Sequence, residues 1–322
     1  MKPCPLCEYK ASKIAYPAPK NAPVSPKSRL ANGSMLRSFD VVRCAQCHFH
    51  YLNNPVSEET LTGLYKDQNN HFYLSQEKLR LRTFERYFKK IRQYVPKGSI
   101  LDIGCAGGLL LSIAKSEGWE VYGTEPNDYF RSSAKEKFGL FLSPSLEDLQ
   151  QGFQANVVTL FDVLEHVINP RRLIQASFQR CKKKGFLFIN IPNFDSLSSR
   201  LFRHHWWCLC DSHLSYFGTA DLIRLLQEEG FVFIKKYPYM QSLELGYLAQ
   251  RLKERMPVTG HFIMRSFERF GLSKLPIHYV AGQTFFVFQK NEILAGGNIF
   301  PSRATAQLTR AKENIPPLPF YL

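Results

Sequence analysis

This 322-residue chain has no apolar run approaching the roughly 20 residues that cross a bilayer as a helix. Its first residues, MKPCPLCEYK, also lack the apolar core, about 7–15 residues long, of a secretory signal. Both absences point to a cytoplasmic protein, in which eight cysteines read as metal ligands or reduced thiols rather than disulfides. Acidic residues are scarce too: 27 Asp and Glu face 42 Lys and Arg, a net charge of +15. The deficit is uneven. Residues 1–100 carry 17 basic side chains against 7 acidic, whereas residues 101–150 carry 4 against 8. A basic periphery around an acidic segment suits an anionic partner such as a phosphorylated substrate, RNA or a membrane surface; a generally basic surface reads the same way. The hydrophobic share of 44% and the charged share of 21% are those of a globular chain with one large core and room for a smaller module.

The cysteines are not scattered. Cys4-Pro-Leu-Cys7 and Cys44-Ala-Gln-Cys47 form two C-x-x-C pairs separated by 36 residues. Thiolates at i and i+3 on a tight turn hold one side of a tetrahedral zinc ion, and a second pair closes it. The spacing predicts a zinc ribbon with Cys4, Cys7, Cys44 and Cys47 as ligands. A pair of redox dithiols is the weaker reading, because neither pair opens a helix in a βαβ unit. His48 and His50 then read as strand residues, since four cysteines saturate the metal. Residues 17–32, rich in Pro, Lys and Ser, read as a mobile loop.

Residues 100–127, ILDIGCAGGLLLSIAKSEGWEVYGTEPN, read as strand, glycine-rich turn, amphipathic helix and second strand. Gly104, Gly107 and Gly108 allow a sharp bend and a close backbone approach to a ligand. Glu125, at the tip of the second strand, is placed to accept hydrogen bonds from ribose hydroxyls. The dinucleotide fingerprint G-x-G-x-x-G fails here, because Ala106 and Leu109 stand where it needs other residues. Asp102, two residues before the first glycine, would repel a phosphate and suits a ligand with an amino acid moiety and positive charge. The stretch resembles the first motif of the class I S-adenosylmethionine (SAM)-dependent methyltransferases, close to L-D-I-G-C-G-x-G, with Ala106 replacing the middle glycine. The resemblance implies that Asp102, Gly104, Cys105, Ala106, Gly107, Gly108, Glu125 and Pro126 line the cofactor.

Around this stretch, Leu81, Phe84, Tyr87, Phe88 and Ile91 give residues 74–95 an amphipathic helix with a basic outer face. Residues 43–73 resemble the zinc-binding region ahead of many bacterial methyltransferase domains, which implies that Tyr65 or Tyr73 lies over the cofactor cleft. Residues 138–142 read as a third strand. In related enzymes the residues after it border the adenine, which implies Leu146 and Glu147; a helix start capped by Ser145 fits the same residues. Val157 to Phe161 is a continuous apolar run, a central parallel strand buried on both faces. With the following Asp162-Val-Leu-Glu165-His166 it resembles the E-V-L-E-H-V segment of the ubiquinone-pathway O-methyltransferases. That implies that Phe161 and Asp162 touch the methionine part of SAM. Some members bind a divalent cation with the acidic pair and the histidine; Asp162 in place of Glu shortens that reach by one methylene. His166 reads as an outer hydrogen-bonder, a general base or a metal ligand.

Residues 186–191 read as a fifth strand, after a solvated lysine turn at 182–184. Ser196 to Cys210, with Trp206 and Trp207, reads as a substrate-covering insertion, and Cys208 and Cys210 as packed thiols. His213 to Phe217 matches an H-L-x-x-F signature, so His213, His166 and Asp162 are the candidates for a catalytic base. Residues 231–237 and 284–290 read as the closing antiparallel strands. The two Arg-rich amphipathic helices between them would form a lid, a dimer surface or a membrane patch. Residues 291–322 read as disordered.

The expected architecture is α/β: a seven-stranded Rossmann-like methyltransferase sheet with an N-terminal zinc ribbon. The zinc module spans 1–56, a helical connector 57–97, the SAM-binding core 98–240, an insertion 241–282, the last strand 283–290 and a tail 291–322. The expected activity is methyl transfer from SAM to oxygen or carbon of a small metabolite, sugar nucleotide or glycan-type acceptor. An rRNA or tRNA methyltransferase is the first rival, although an N-P-P-[YF]-like amino-methylation motif is missing. A non-catalytic zinc-ribbon adaptor is the second, opposed by the intact loop and Glu125.

Overall fold

The computed structural model describes residues 2–19, 37–53, 57, 60–61, 63, 76–255 and 257–291. Its strands are β1 (Ser12–Tyr16), β2 (Val41–Cys44), β3 (His50–Leu52), β4 (Ser99–Ile103), β5 (Glu120–Thr124), β6 (Ala155–Phe161), β7 (Cys181–Pro192), β8 (Ser215–Tyr216), β9 (Phe231–Glu244) and β10 (Pro276–Lys290). Its helices are α1 (Glu77–Tyr94), α2 (Leu109–Ser116), α3 (Asp128–Phe138), α4 (Pro170–Arg180), α5 (Leu197–Phe202), α6 (Thr219–Glu228), α7 (Leu245–Arg255) and α8 (Pro257–Arg269).

The main sheet runs β5-β4-β6-β7-β10-β9. Its first four strands are parallel, and β10 lies antiparallel between β7 and β9. Side chains alternate between faces with the strand period of two. Leu101, Ile103, Val158, Leu160, Leu187 and Ile189 enter one core with Leu173 and Ile174 of α4 and Leu222 and Leu225 of α6. Ile100, Val157, Phe161 and Phe188 enter the other, against Tyr87 and Phe88 of α1 and Leu110 and Leu111 of α2. Both faces are covered, which is why β6 reads as an unbroken apolar run. Helices α3 and α4 start where the sequence supplies caps: Asn127 accepts from Phe130 N at 3.1 Å, and Asn169, ahead of Pro170, accepts from Arg172 N at 3.0 Å.

The third strand expected at 138–142 contracts to a single contact. Phe138 ends α3, Gly139 takes a left-handed cap (φ 59°), and only Ser143 bridges to Thr124, in parallel. That bridge fills the seventh position of the sheet, outside β5. At the other edge, β9 and β10 run well beyond 237 and before 284 and form a paired arm down to Glu244 and Pro276. The insertion therefore begins on a strand, and α7 and α8 sit at the arm's tip. Lys182–Lys184 lie inside β7, exposed, with a register shift and a left-handed Lys184 (φ 59°). His50 is a strand residue, but His48 sits in a turn at φ 64°.

A second sheet, β1-β2-β3-β8, crosses the boundary drawn at residue 56. β3 pairs with β8, far along the chain, so the cysteine segment and the core share one ladder. Cys4, Leu6, Cys44 and Phe49 accordingly belong to the same buried cluster as Leu101 and Leu160. Trp206 is 1% exposed and packs with Val41 and Leu52, so it is core rather than a cover over substrate. Most of the 17–32 loop, Tyr65, Tyr73 and nearly all of the 291–322 tail lie outside the described residues.

Candidate active site

The C-terminal ends of β4, β5 and β6, three neighbouring parallel strands, release Asp102, Glu125 and Asp162 at the same edge of the sheet. After Asp102 the chain turns through left-handed Gly104 (φ 71°), Ala106 (φ 46°) and Gly108 (φ 74°). Ala106 thus adopts the strained conformation itself, at the position where the related motif carries glycine. Gly108 starts α2, and a Cβ there would approach Leu140 Cδ1 to 2.8 Å. The loop is tied to β5: Gly104 N and Cys105 N both donate to Thr124 O, at 2.8 and 3.0 Å. Glu125 completes the tie, Oε2 accepting from Ala106 N at 2.8 Å and Oε1 from Asn127 N at 3.0 Å.

Asp102 and Glu125 are both nearly sealed from water. Burial raises Asp102 to about 7, against the hydrogen bond from Thr159 Oγ1 at 2.6 Å, and the charge on Glu125 adds to the rise. Burial likewise lifts Glu125 to about 7, opposed by its two backbone donors. Two carboxyl groups kept costly to ionise beside a backbone loop suit hydroxyls and positive charge rather than phosphate. Of the other cofactor candidates, Phe161 stacks on Phe84 of α1, centroids 5.9 Å apart, while Cys105 and Pro126 flank the loop and Glu125 in the chain. The Leu146 side chain packs in the buried core, with its carbonyl accepting from Arg180 at 2.8 Å, and Glu147 is exposed.

Beyond β6 lies a second polar group. Asp162, at φ 57°, donates its N–H to Asn190 O at 2.9 Å, and its Oδ1 accepts from Asn190 Nδ2 at 2.8 Å and Gln283 Nε2 at 2.6 Å. Burial raises Asp162 to about 6, against the charges of Arg80 and His213. Glu165 is 2% exposed, and neither carboxylate oxygen has a hydrogen-bond partner. Burial, helped by Asp162, raises it to about 8. His166 Nδ1 meets Ser212 O at 2.7 Å, and His213 Nδ1 meets Cys208 O at 2.8 Å. A carbonyl only accepts, so each Nδ1 carries the proton and, in a neutral ring, Nε2 is left as the acceptor. The rings stand 4.9 Å apart at 72°. Burial, together with the charge on His213, lowers His166 to about 3. Burial also opposes a charge on His213, but Cys210 beside it outweighs this and lifts it to about 9.

Asp162, Glu165 and His166 thus lie together with His213 from the expected covering insertion, while Trp206 stays in the core. Asn190, Gln283 and Arg80 also belong to this cluster and were not singled out from the sequence, and Cys210, expected as a packed thiol, stands beside His213. The signals were an asparagine inside the apolar strand FLFINIP and a glutamine opening QTFFVF. Glu165, His166 and His213 each bring one ligand atom within 4.8 Å of the others, so a divalent cation would take these three rather than Asp162.

The four cysteines of the second sheet also converge, all ligand atoms within 4.8 Å. Cys4 Sγ lies 3.5 Å from Cys47 Sγ, and Cys7 Sγ 3.6 Å from Cys44 Sγ. Tetrahedral zinc with bonds of about 2.3 Å spaces its thiolates about 3.8 Å apart. The residue after each pair turns left-handed, Glu8 (φ 59°) and His48 (φ 64°), and Gln46 N–H points at Cys44 Sγ from 3.4 Å. The donor set and both turns fit zinc.

Comparison with known proteins follows the same outline. A family model described as a methyltransferase domain matches residues 75–236. A ubiquinone biosynthesis O-methyltransferase of Actinobacillus pleuropneumoniae is 35% identical over 107 residues, covering 29% of this chain and 45% of that protein. The Vibrio atlanticus protein of the same description is 28% identical over 173 residues, covering 46% of this chain and 70% of the relative. The chain thus spans less than half of the first of these relatives. A SAM-dependent methyltransferase from Archaeoglobus fulgidus aligns in structure over 69% of this chain and all of its own, at 20% identity and a TM-score of 0.45.

Proposed function

Because this chain belongs to the methyltransferase-domain family, we propose that it transfers the methyl group of SAM to a hydroxyl of a small-molecule acceptor. The observation that carries the reading is the placement of two polar groups at one sheet edge. Asp102 and Glu125 flank the glycine loop on one side, and Asp162, Glu165, His166 and His213 stand after the neighbouring strand on the other. The relatives are named for an O-methylation in ubiquinone biosynthesis, which favours an oxygen nucleophile.

When bound, SAM supplies a methyl group on a sulfonium, open to in-line displacement. Glu125 holds the ribose hydroxyls and Asp102 the cationic amino end, which leaves alignment and proton removal to the acceptor side. His213 is a poor base here, since Cys210 keeps it charged to about pH 9. Asp162 is the better candidate: raised to about 6, it is ionised at neutral pH, and the amides of Asn190 and Gln283 orient it. His166, held neutral by burial, keeps Nε2 as a hydrogen-bond acceptor in the same cluster. The four cysteines hold a structural zinc in this reading.

The test is incubation with methyl-labelled SAM and a panel of hydroxylated small molecules alongside RNA. Label appearing on a small-molecule oxygen is the expected result. Label confined to RNA, or none transferred by a chain that binds SAM, would overturn it.

A further inference from the structure

The cysteine sheet ends on the segment that carries the acceptor-side histidine. Cys44 N donates to Phe49 O at 2.9 Å, closing the turn that leads into β3. β3 pairs with β8 as Tyr51 opposite Ser215 and His50 opposite Tyr216, and Leu52 N donates to Leu214 O at 2.9 Å. The Phe49 and Phe217 rings lie 5.0 Å apart, both fully buried, and Ser38 N donates to Asp211 Oδ1 at 2.7 Å. On its far side the same segment grips the turn after β6. Leu214 N and Ser215 N both donate to Glu165 O, at 2.7 and 3.1 Å, and Ser212 O accepts from His166 Nδ1. Residues 211–217 are thus pinned between the cysteine sheet and the acid–histidine turn. The strands are only five, four, three and two residues long, and Cys44 and Cys47 lie at the turn that joins β2 to β3. The SAM-side loop is anchored elsewhere, on Thr124 O and the Glu125 carboxylate.

Resting on the zinc reading above, we infer that metal held by Cys4, Cys7, Cys44 and Cys47 fixes residues 211–217, and through them His213 and His166, so that the ribbon is a positioning element of the acceptor site. The SAM side keeps its geometry without it. Phe49 and the β3–β8 pairing transmit the constraint, which makes the N-terminal cysteines part of turnover rather than a separable module.

The experiment uses the full chain. Elemental analysis first gives zinc per chain; a folded chain without zinc overturns the zinc reading and this inference with it. Hydrogen exchange is then followed with zinc bound, after chelation, and after zinc is returned. Amides of 212–217 should exchange at least tenfold faster in the chelated chain and recover with zinc, while S-adenosylhomocysteine affinity stays within threefold. In histidine-labelled protein, the Nδ1–H signature of His166 and His213 should likewise fade on chelation and return. Should the chelated chain lose its fold altogether, Phe49→Leu decides, because it leaves all four thiolates in place. This variant should keep one zinc per chain yet exchange faster at 214–217. Unchanged exchange at 212–217 while 44–52 loosens, or wild-type rates in Phe49→Leu, would overturn the inference and leave the zinc assignment standing.

Discussion

Replacing Asp102 with Asn should make the chain more stable and a worse binder of SAM. The Asp102 carboxyl is 4% exposed and raised to about 7 by burial, from an ordinary value of 3.8. Asn keeps an oxygen to accept from Thr159 and removes only the ionisable proton. The unfolded chain ionises Asp102 near its ordinary value, so between pH about 4 and 7 the folded chain holds a proton that the unfolded chain has released. A folded pKa above the unfolded one therefore lowers stability as pH rises through that window. Each unit is worth about 1.4 kcal/mol, so the penalty at pH 7.5 is on the order of 4 kcal/mol. Asp102→Asn escapes it, and its melting temperature should exceed wild type by roughly 5 °C or more at pH 7.5. The gap should close towards pH 4, where both side chains are neutral. Thermal melts across pH, paired with calorimetric titration of SAM, measure both sides of the exchange. An Asn variant that melts at or below wild type at pH 7.5, or binds SAM equally well, would refute the claim that this buried carboxyl is kept for the ligand.

Glu125→Ala removes the proposed ribose acceptor and also frees Ala106 N and Asn127 N. Charged hydrogen bonds of this kind are worth about 1.5–3 kcal/mol, so SAM affinity should fall about 10- to 150-fold by calorimetry. Methyl transfer should rise with pH through about 6 as Asp162 ionises; Asp162→Asn should abolish that inflection and lower kcat with SAM affinity retained. In His166→Gln the inflection should persist at reduced rate, and its loss there would move the base to the histidine.

The chemistry of the cofactor side was legible because it is local. A glycine turn, a carboxylate before it and another one strand later lie within 28 residues, and C-x-x-C spacing announces itself in the same way. What could not be read was made by distant pairing. Nothing near Ser215 says that it will lie beside Tyr51, and that single ladder joins the cysteine segment to the segment that carries His213. Trp206 looked like a cover because it sits among exposed aromatic and basic residues, yet it fills the space between β2, β3 and the insertion. Gln283 reaches Asp162 only because β10 returns alongside β7. His166 and His213 are told apart by their neighbours: Cys210 keeps one charged, and burial keeps the other neutral.

Hydrogen exchange with and without S-adenosylhomocysteine tests the central claim most directly, because it reports where the ligand sits and needs no acceptor. Slower exchange is predicted at residues 104–108 and 125–127, the backbone around the left-handed loop and the tip of β5, with one site per chain by calorimetry. No protection there, or the same residues protected by NAD instead, would contradict the account.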